Sequence, residues 1–346
     1  MRPFLAPPTD GSVTPGLVPT FSIVIPAHQA AGFVGRAVES ALAQTLPAAE
    51  IIVSDDGSTD DLEGALTPYG DRVRLIRGPQ GGPPAARNRG HRAASGEFVA
   101  NLDADDVFHP EWLQAVGELA ASRPDVDILT TNGYLVHDGR RLRRYYFEDW
   151  TFEVENQRRE ILRRNFVTSL AAVRRSRFLE IGGFDESLWW IDDWDLWLRL
   201  VLDGSQAGCV DEALYEYTVR EGSISTRHVD VLRDTIRLLE KPGVAARLDP
   251  GERRELARSI ARERQTLVKV ELRELLVRRR PGVRRFALAA AFGRGYVTGT
   301  RLTVGAVAVA PGLARRLLER KHEREWLGAG GAKIARQSVR RARGRS

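Results

Sequence analysis

Phe98-Val99-Ala100-Asn101-Leu102-Asp103-Ala104-Asp105-Asp106 decides the fold class. Its first five residues read as a short buried strand, and it ends abruptly in three carboxylates. The same design occurs upstream. Glu50-Ile51-Ile52-Val53-Ser54 is a second buried strand ending in Asp55-Asp56-Gly57-Ser58-Thr59-Asp60, and Phe21-Ser22-Ile23-Val24-Ile25-Pro26 is a third, running into Ala27-His28. Between them lie helical patterns. Gly32 to Gln44 carries Val34, Val38, Ala41 and Leu42 at helical spacing, and Pro83 to Ser95 opens with proline in its first turn. Arg72 to Arg77 and Val126 to Thr131 read as further strands, with a helix from Pro110 between Phe98–Leu102 and the latter. Strand–helix alternation of this kind predicts an α/β protein whose mainly parallel sheet has helices on both faces. Ligands bind such sheets beyond the carboxyl ends of the strands, so the carboxylate clusters should share one crevice.

Residues 132–227 are more mixed. A hairpin turning near Asp138-Gly139 is expected, then a helix over Glu155 to Arg164 and a strand over Ser169 to Val173. Gly182-Gly183-Phe184-Asp185 reads as a turn, Asp193 to Leu202 as an amphipathic helix, and 207–210 and 213–218 as strands. Strand signals vanish from about residue 230. Asp249-Pro250-Gly251-Glu252 has the form of a capped helix start, with the helix running to Arg280 and stopped by Pro281-Gly282.

Charge divides the chain in the same way. Its 346 residues hold 52 Lys+Arg and 46 Asp+Glu, a net charge of +6. Residues 251–346 hold 25 cations and 8 anions, net +17, which leaves 27 and 38, net −11, for residues 1–250. The domain reading is a disordered leader over 1–19, an α/β domain over 20–227, a basic helical extension over 228–332 and a basic disordered tail over 333–346. The single cysteine, Cys209, excludes an intramolecular disulfide and a cysteine-based zinc cluster. The six histidines lack zinc-hydrolase spacing. No apolar run reaches the 18 or so residues of a membrane span; the nearest, Leu302 to Ala314, has 13 residues, two of them Gly and one Pro. With no signal-peptide core at the N-terminus, a soluble cytoplasmic protein is expected.

Several constellations carry chemistry. Asp103 and Asp105, spaced as D-x-D after a strand, suit one hard divalent cation that also holds a diphosphate, and with Asp106 they repel one another unless a cation is present. Asp55 suits the N–H of a nucleobase, although Ser58 to Asp60 equally suit a helix cap. His28 faces the same crevice, as a base-flanking side chain or a plain loop histidine. Gly81-Gly82-Pro83 leads into a helix whose Arg87 reaches toward a phosphate or solvent; the P-loop Gly-Lys-Ser/Thr is missing, so ATP hydrolysis has no support. Trp189-Trp190-Ile191-Asp192-Asp193-Trp194-Asp195-Leu196-Trp197 places four of the seven tryptophans among three aspartates. That suits a sugar cleft, or else a packed helix whose aspartates cap it. Asp193 lies at the helix start, where a carboxylate is stabilised as an anion and serves as a general base; Asp195 is expected to cap the helix.

These motifs, taken in order with Ala86-Arg87-Asn88-Arg89-Gly90, resemble an inverting family 2 glycosyltransferase with a GT-A fold over about residues 20–227. The resemblance implies transfer of a sugar from a nucleotide diphosphate sugar, UDP-linked by preference, assisted by Mn²⁺ or Mg²⁺. It implies that Pro26 and His28 flank the nucleobase, Asp55 binds it, and Arg87 lies near the nucleotide. Asp103 would lie by ribose and metal, Asp105 would bind the metal, and Asp193 would deprotonate the acceptor hydroxyl. Gly183 and Phe184 would lie beside the acceptor, with Asp192 and Trp194 nearby, and Arg220 would close over the diphosphate. Asp192 stands where Glu usually precedes the base, and Gln29 where Asn is common. The implied acceptor is a glycan or lipid-linked hydroxyl in cell-surface polysaccharide synthesis. The basic C-terminal region suits an anionic membrane surface, a protein partner or a partly disordered tail. Nucleic-acid binding, the rival class that +17 suggests, leaves the aspartate crevice unexplained. A non-catalytic sugar-nucleotide-binding module is the third reading.

Overall fold

The computed structural model describes residues 18–144, 152, 154–219, 228–277, 282–292, 298–314 and 316. The expected leader up to residue 17, the basic tail over 333–346, Pro281 and Arg220 lie outside them. In chain order the elements are β1 (Phe21–Ala27), α1 (Val34–Leu42), β2 (Glu50–Asp56), α2 (Leu62–Leu66) with a 3-10 turn (Thr67–Arg72), β3 (Arg74–Gly78), α3 (Pro83–Ala93), β4 (Phe98–Asn101), β5 (Val107–Phe108) and α4 (Trp112–Ser122). There follow β6 (Val126–His137), β7 (Arg140–Arg144), α5 (Gln157–Arg163), β8 (Ala172–Arg174), α6 (Arg175–Glu180), α7 (Asp192–Leu202) and β9 (Gln206–Thr218). The chain continues as α8 (His228–Leu239), α9 (Pro242–Ala246), α10 (Pro250–Val277), α11 (Val283–Phe292) and α12 (Thr298–Val309).

The sheet runs in the order β3-β2-β1-β4-β8-β6-β9-β5, with β7 paired to β6. Its first four strands are parallel. β8 runs antiparallel between β4 and β6, so Val126–Thr131 is not a direct neighbour of the parallel half. β5 and β7 are also antiparallel additions. The two strands expected over 207–218 are one, whose pairing with β6 slips at Thr131/Asn132. Hydrophobic pattern marks a strand but does not name its neighbour. The 138–139 turn and the proline opening of α3 match the sequence reading. At the start of α10 the Glu252 N–H donates to Asp249 Oδ1 (2.6 Å) and the Asp249 N–H donates to Glu252 Oε2 (3.0 Å), a reciprocal capping box. The Ser58–Asp60 run does not cap a helix; α2 is capped by Asp61, whose carboxylate accepts from the Gly64 N–H.

Period-two alternation explains the layering. On β1, Ile23 and Ile25 pack into the large core with Val34 and Val38 of α1 and Trp112 and Val116 of α4. Val24 points the other way, with Ile52, Val99 and Ala94. That second face receives α3, which reaches it because position 90 is glycine. A Cβ there would stand 2.3 Å from Val24 Cγ1. The close approach fixes the depth at which the helix carries Arg87.

By internal packing the chain forms two compact units: residues up to 227 with 237–257, and 228–236 with 258 onward. The segment 237–257 groups with the unit that holds the sheet. In the second unit, Val268, Leu272 and Leu276 of α10 pack with Ala287, Ala290, Val304, Val307 and Ala308. Among the described residues no helix is long and apolar enough to cross a membrane.

Gly90→Val tests the close approach. The added isopropyl group, whose Cβ already meets Val24, should cost about 1–3 kcal/mol, measured as a lowered urea midpoint. An unchanged midpoint would show that α3 has room to withdraw.

Candidate functional site

Parallel register brings the ends of β1 and β2 side by side, pairing Pro26 with Ser54 and Ala27 with Asp55. β4 lies on the other side of β1 and delivers the 102–106 loop to the same edge. The predicted crevice residues therefore do converge. His28 is exposed; its Nδ1 lies 3.1 Å from the Asp56 carbonyl and its Nε2 3.3 Å from Gln80 Nε2. Asp55 is buried, with Oδ1 accepting from the Ser58 N–H (2.9 Å) and Oδ2 3.5 Å from Arg77 Nε. Ser58, Thr59 and Asp60 tie the loop after β1: they accept from the Gln29 N–H, the Gln29 side-chain amide and the Ala31 N–H.

Sequence reasoning did not single out Asp56, which organises the Gly-rich turn. Its two carboxylate oxygens accept from the N–H groups of Gly81 (3.0 Å) and Gly82 (2.7 Å), and Arg89 lies 3.6 Å away. Gly82 has φ +86°, and a Cβ on it would stand 2.7 Å from the Trp189 indole. The signal was present in the doubled Asp55-Asp56, but an acid bonded to backbone looks like any other turn acid.

The centre of the site is Arg87, whose side chain is buried. One guanidinium nitrogen donates to Asp103 Oδ1 (2.7 Å) and the other to Asp192 Oδ2. Phe184 lies beneath it, 5.7 Å from ring centroid to guanidinium carbon. The two carboxylates hold Arg87 firmly protonated against the cost of burial. Of the two readings open for Arg87, the buried one holds; it is not a solvated helix residue. Asp103 is offset by a guanidinium within the protein, so its charge does not by itself demand a cation. Asp106 is buried and accepts from the Thr218 N–H (2.7 Å), fastening β9 to the loop.

Asp192 and Asp193 open α7 with different surroundings. Asp192 is buried against Arg87. Asp193 is half-buried, accepting from the Asn165 side-chain amide (2.9 Å) and the Trp194 N–H (2.7 Å). Desolvation, then the Asp192 charge, push the Asp193 carboxyl up to about 7. Asp192 is also raised by desolvation, with Arg87 opposing. The helix start does not keep Asp193 far below neutrality; two adjacent acids in a poorly hydrated site outweigh the dipole.

The tryptophan run is mostly core. Trp194 is buried and donates to the Ile161 carbonyl (2.9 Å), and Trp197 is fully buried. Trp189 is 44% exposed and Trp190 half-buried, so only these two offer a face to the outside. Gly183 and Phe184 are buried too. Asn88, next to Arg87, accepts from the Phe184 N–H (2.8 Å) and donates to the Phe184 carbonyl (2.9 Å). The Phe184 ring meets His91 and Phe178 edge-on. His91 is buried with Nε2 2.7 Å from Asn101 Oδ1, and burial pushes it down to about 4.

Asp195 does not cap α7. It is fully buried and paired with Arg199 (2.7 Å) and Lys241 Nζ (2.7 Å), and Lys241 also reaches Asp185 (2.8 Å). Those bonds help hold Asp185 down to about 2, against the cost of its burial. Lys241 is a second residue that sequence reasoning missed. It is one of only four lysines, but lies 46 residues beyond its partner.

Residues 22–182 match the family model Glycosyl transferase family 2, so the chain carries a domain of that family. It is 32% identical over 231 residues to the succinoglycan biosynthesis protein ExoO of Rhizobium meliloti, covering 62% of this chain and 66% of that one. It is 30% identical over 188 residues to an uncharacterized glycosyltransferase of Rickettsia typhi, covering 53% of this chain and 59% of the relative. A hyaluronan synthase of Pasteurella multocida is 32% identical over 193 residues, 53% of this chain and 19% of the synthase. The chain thus spans only part of these relatives' length. Among solved structures, S. aureus TarS 1–349 in complex with UDP-GlcNAc superposes with a TM-score of 0.60 at 20% identity, over 83% of this chain and 91% of that one. The mannosyltransferase PcManGT of Pyrobaculum calidifontis, in complex with GDP-Man and Mn²⁺, gives 0.54 at 17% identity, over 91% and 86%. The fold is GT-A, as the sequence resemblance implied.

Arg87→Ala would leave Asp192 buried without its cation. The loss should be about 3–5 kcal/mol, the usual cost of breaking a buried pair from one side, read as a fall in the urea midpoint. A shift of under about 1 kcal/mol, the range of a surface pair, would contradict the buried fork.

Proposed function

We propose that the protein is an inverting glycosyltransferase. It moves a sugar from a nucleotide diphosphate sugar, a UDP-sugar by preference, to a hydroxyl of a glycan or lipid-linked acceptor in polysaccharide synthesis. The observation that carries this reading is the Arg87 fork. It joins Asp103 of the D-x-D loop to Asp192 at the start of α7, 89 residues further on, and the half-buried Asp193 is the next residue of that helix. The relatives in succinoglycan and hyaluronan synthesis support the polysaccharide setting.

Asp193 is the base. It takes the acceptor O–H proton as that oxygen bonds to the anomeric carbon. The bond from that carbon to the diphosphate oxygen breaks on the opposite face, and the nucleoside diphosphate leaves with the electron pair. Asp192 is committed to Arg87 and holds α7 in place. Asp55, with Pro26 and His28 beside it, receives the nucleobase.

Asp103 and Asp105 fit a divalent cation. Arg87 occupies one oxygen of Asp103, and Asp105, two residues on, is half-buried in the same loop. Among the described residues no group of three metal-ligating side chains occurs. Two carboxylates are what Mg²⁺ or Mn²⁺ takes when its remaining ligands are water and substrate phosphate. Bound there, it would supply charge stabilisation to the leaving diphosphate. Phe184, Gly183 and Trp194 act beneath the site, through Arg87 and α5.

Three measurements test the reading. Asp193→Asn keeps the shape but not the basicity, so transfer should fall about 10²–10⁴-fold while donor affinity holds; near-normal turnover would remove Asp193 from the chemistry. In the native enzyme the base must be ionised, so kcat should rise with pH through about 7 and then level off. A flat profile between pH 5 and 9 on the order of the whole titration range would contradict a base with that environment. A donor screen with and without Mn²⁺ should give UDP-sugar turnover, with Asp105→Ala losing the metal dependence of UDP binding. Tighter binding of ADP or CDP would refute Asp55 as acceptor of an imide N–H, which neither neutral base offers.

A further inference from the structure

The second unit, described by itself, has a surface that the transferase reading does not use. From residue 275 to 318 the sequence holds nine arginines and no acid. Within that stretch α12 has an apolar row on its inner side and another on its outer side, the latter flanked by Arg301 and Thr303. Val304, Val307 and Ala308 are buried against α10 and α11. On the opposite side Leu302, Ala306 and Val309, at helical spacing, are exposed, with Leu302 69% and Val309 80% open. Leu313, just beyond, is exposed too. On α11 the exposed row is Arg284, Leu288 and Phe292, the last 84% open. Five of the nine large hydrophobics exposed among the described residues fall between 288 and 313. Apolar rows on two sides of a helix are normally both covered. Among the described residues only the inner row is covered here.

We propose that the outer faces of α11 and α12 are a docking surface for an anionic lipid bilayer. The charge selects the occupant. Nine cations without one acid repel a second copy of this stretch and attract an anionic leaflet, where each arginine near the surface strengthens binding about fivefold. The apolar rows decide between lipid and nucleic acid. A phosphate backbone has no use for Phe292 or Val309, whereas a bilayer interface takes such side chains to a depth of about 5–10 Å while arginines stay at the headgroups. At 10 and 12 residues the two helices lie in the interface and do not cross it. Under the transferase reading, on which this last step rests, the surface carries the enzyme to acceptors embedded in that leaflet.

The test is flotation of the full-length chain with vesicles of phosphatidylcholine alone or mixed equally with phosphatidylglycerol. The expected result is binding to the anionic vesicles that weakens as salt rises. Phe292→Asp with Val309→Asp should weaken it about tenfold or more while thermal unfolding and UDP affinity stay unchanged, since both side chains are exposed. Four results would overturn the proposal: equal indifference to both vesicle types; anionic binding that the double variant keeps in full; competition by duplex DNA that is equally strong for native and variant protein; or a dimer in sedimentation that the double variant dissolves without vesicle binding by either form. Vesicle binding without sugar turnover would defeat the transferase reading alone, and turnover without vesicle binding would defeat this surface alone.

Discussion

A guanidinium buried between two carboxylates holds this site together. Arg87 is on α3, Asp103 follows β4, and Asp192 opens α7, so one side chain determines how three separate segments meet. Burying that cation is costly unless its partners are in place. The partners are placed only if α3 lies close on β1, which the glycine at position 90 allows. The fork also sets the charge of the site. One cation serves Asp103 and Asp192. Burial, and then the neighbouring Asp192 charge, push the Asp193 carboxyl up to about 7.

The surrounding polar bonds fasten motif to motif more than they add stability. Asp56 ties the end of β2 to the turn before α3, and Asn88 ties α3 to the Phe184 backbone. Asp106 joins the D-x-D loop to the end of β9. Lys241, Asp185, Asp195 and Arg199 form a neutral set of four charges that anchors α7 from below. Buried ion pairs of this kind contribute little net stability over apolar packing. Their directional bonds do specify one arrangement, which a site working at the scale of single hydrogen bonds requires.

Acids with similar sequence surroundings end in different employments. Asp55 and Asp56 are neighbours, yet one makes a local turn contact and the other cradles two backbone N–H groups. Asp192, Asp193 and Asp195 lie within one helical turn. They are, respectively, a partner of Arg87, a half-exposed carboxylate, and a fully buried ion-pair member. The same holds for the tryptophans. Trp194 and Trp197 fill the core, while Trp189 stays open against Gly82.

The amino-acid sequence alone determined the alternation of strands and helices, the crevice at the strand ends, the capped start of α10 and the family. These follow from period-two and period-3.6 patterning, from turn chemistry and from the order of short motifs, all of which are local along the chain. It also marked Arg87, Asp103, Asp105 and Asp193 as site residues. Tertiary structure alone decided that β8 enters antiparallel beside β4, that Arg87 joins Asp103 to Asp192, that Phe184 and Trp194 lie beneath the site, and that Lys241 anchors α7 through Asp195. It also decided the environment of Asp193, which a helix start by itself would have left well ionised. The reason is physical. Strand neighbours, burial and ion pairing depend on which groups arrive from distant parts of the chain, and a carboxylate carries no local mark of the cation it will meet.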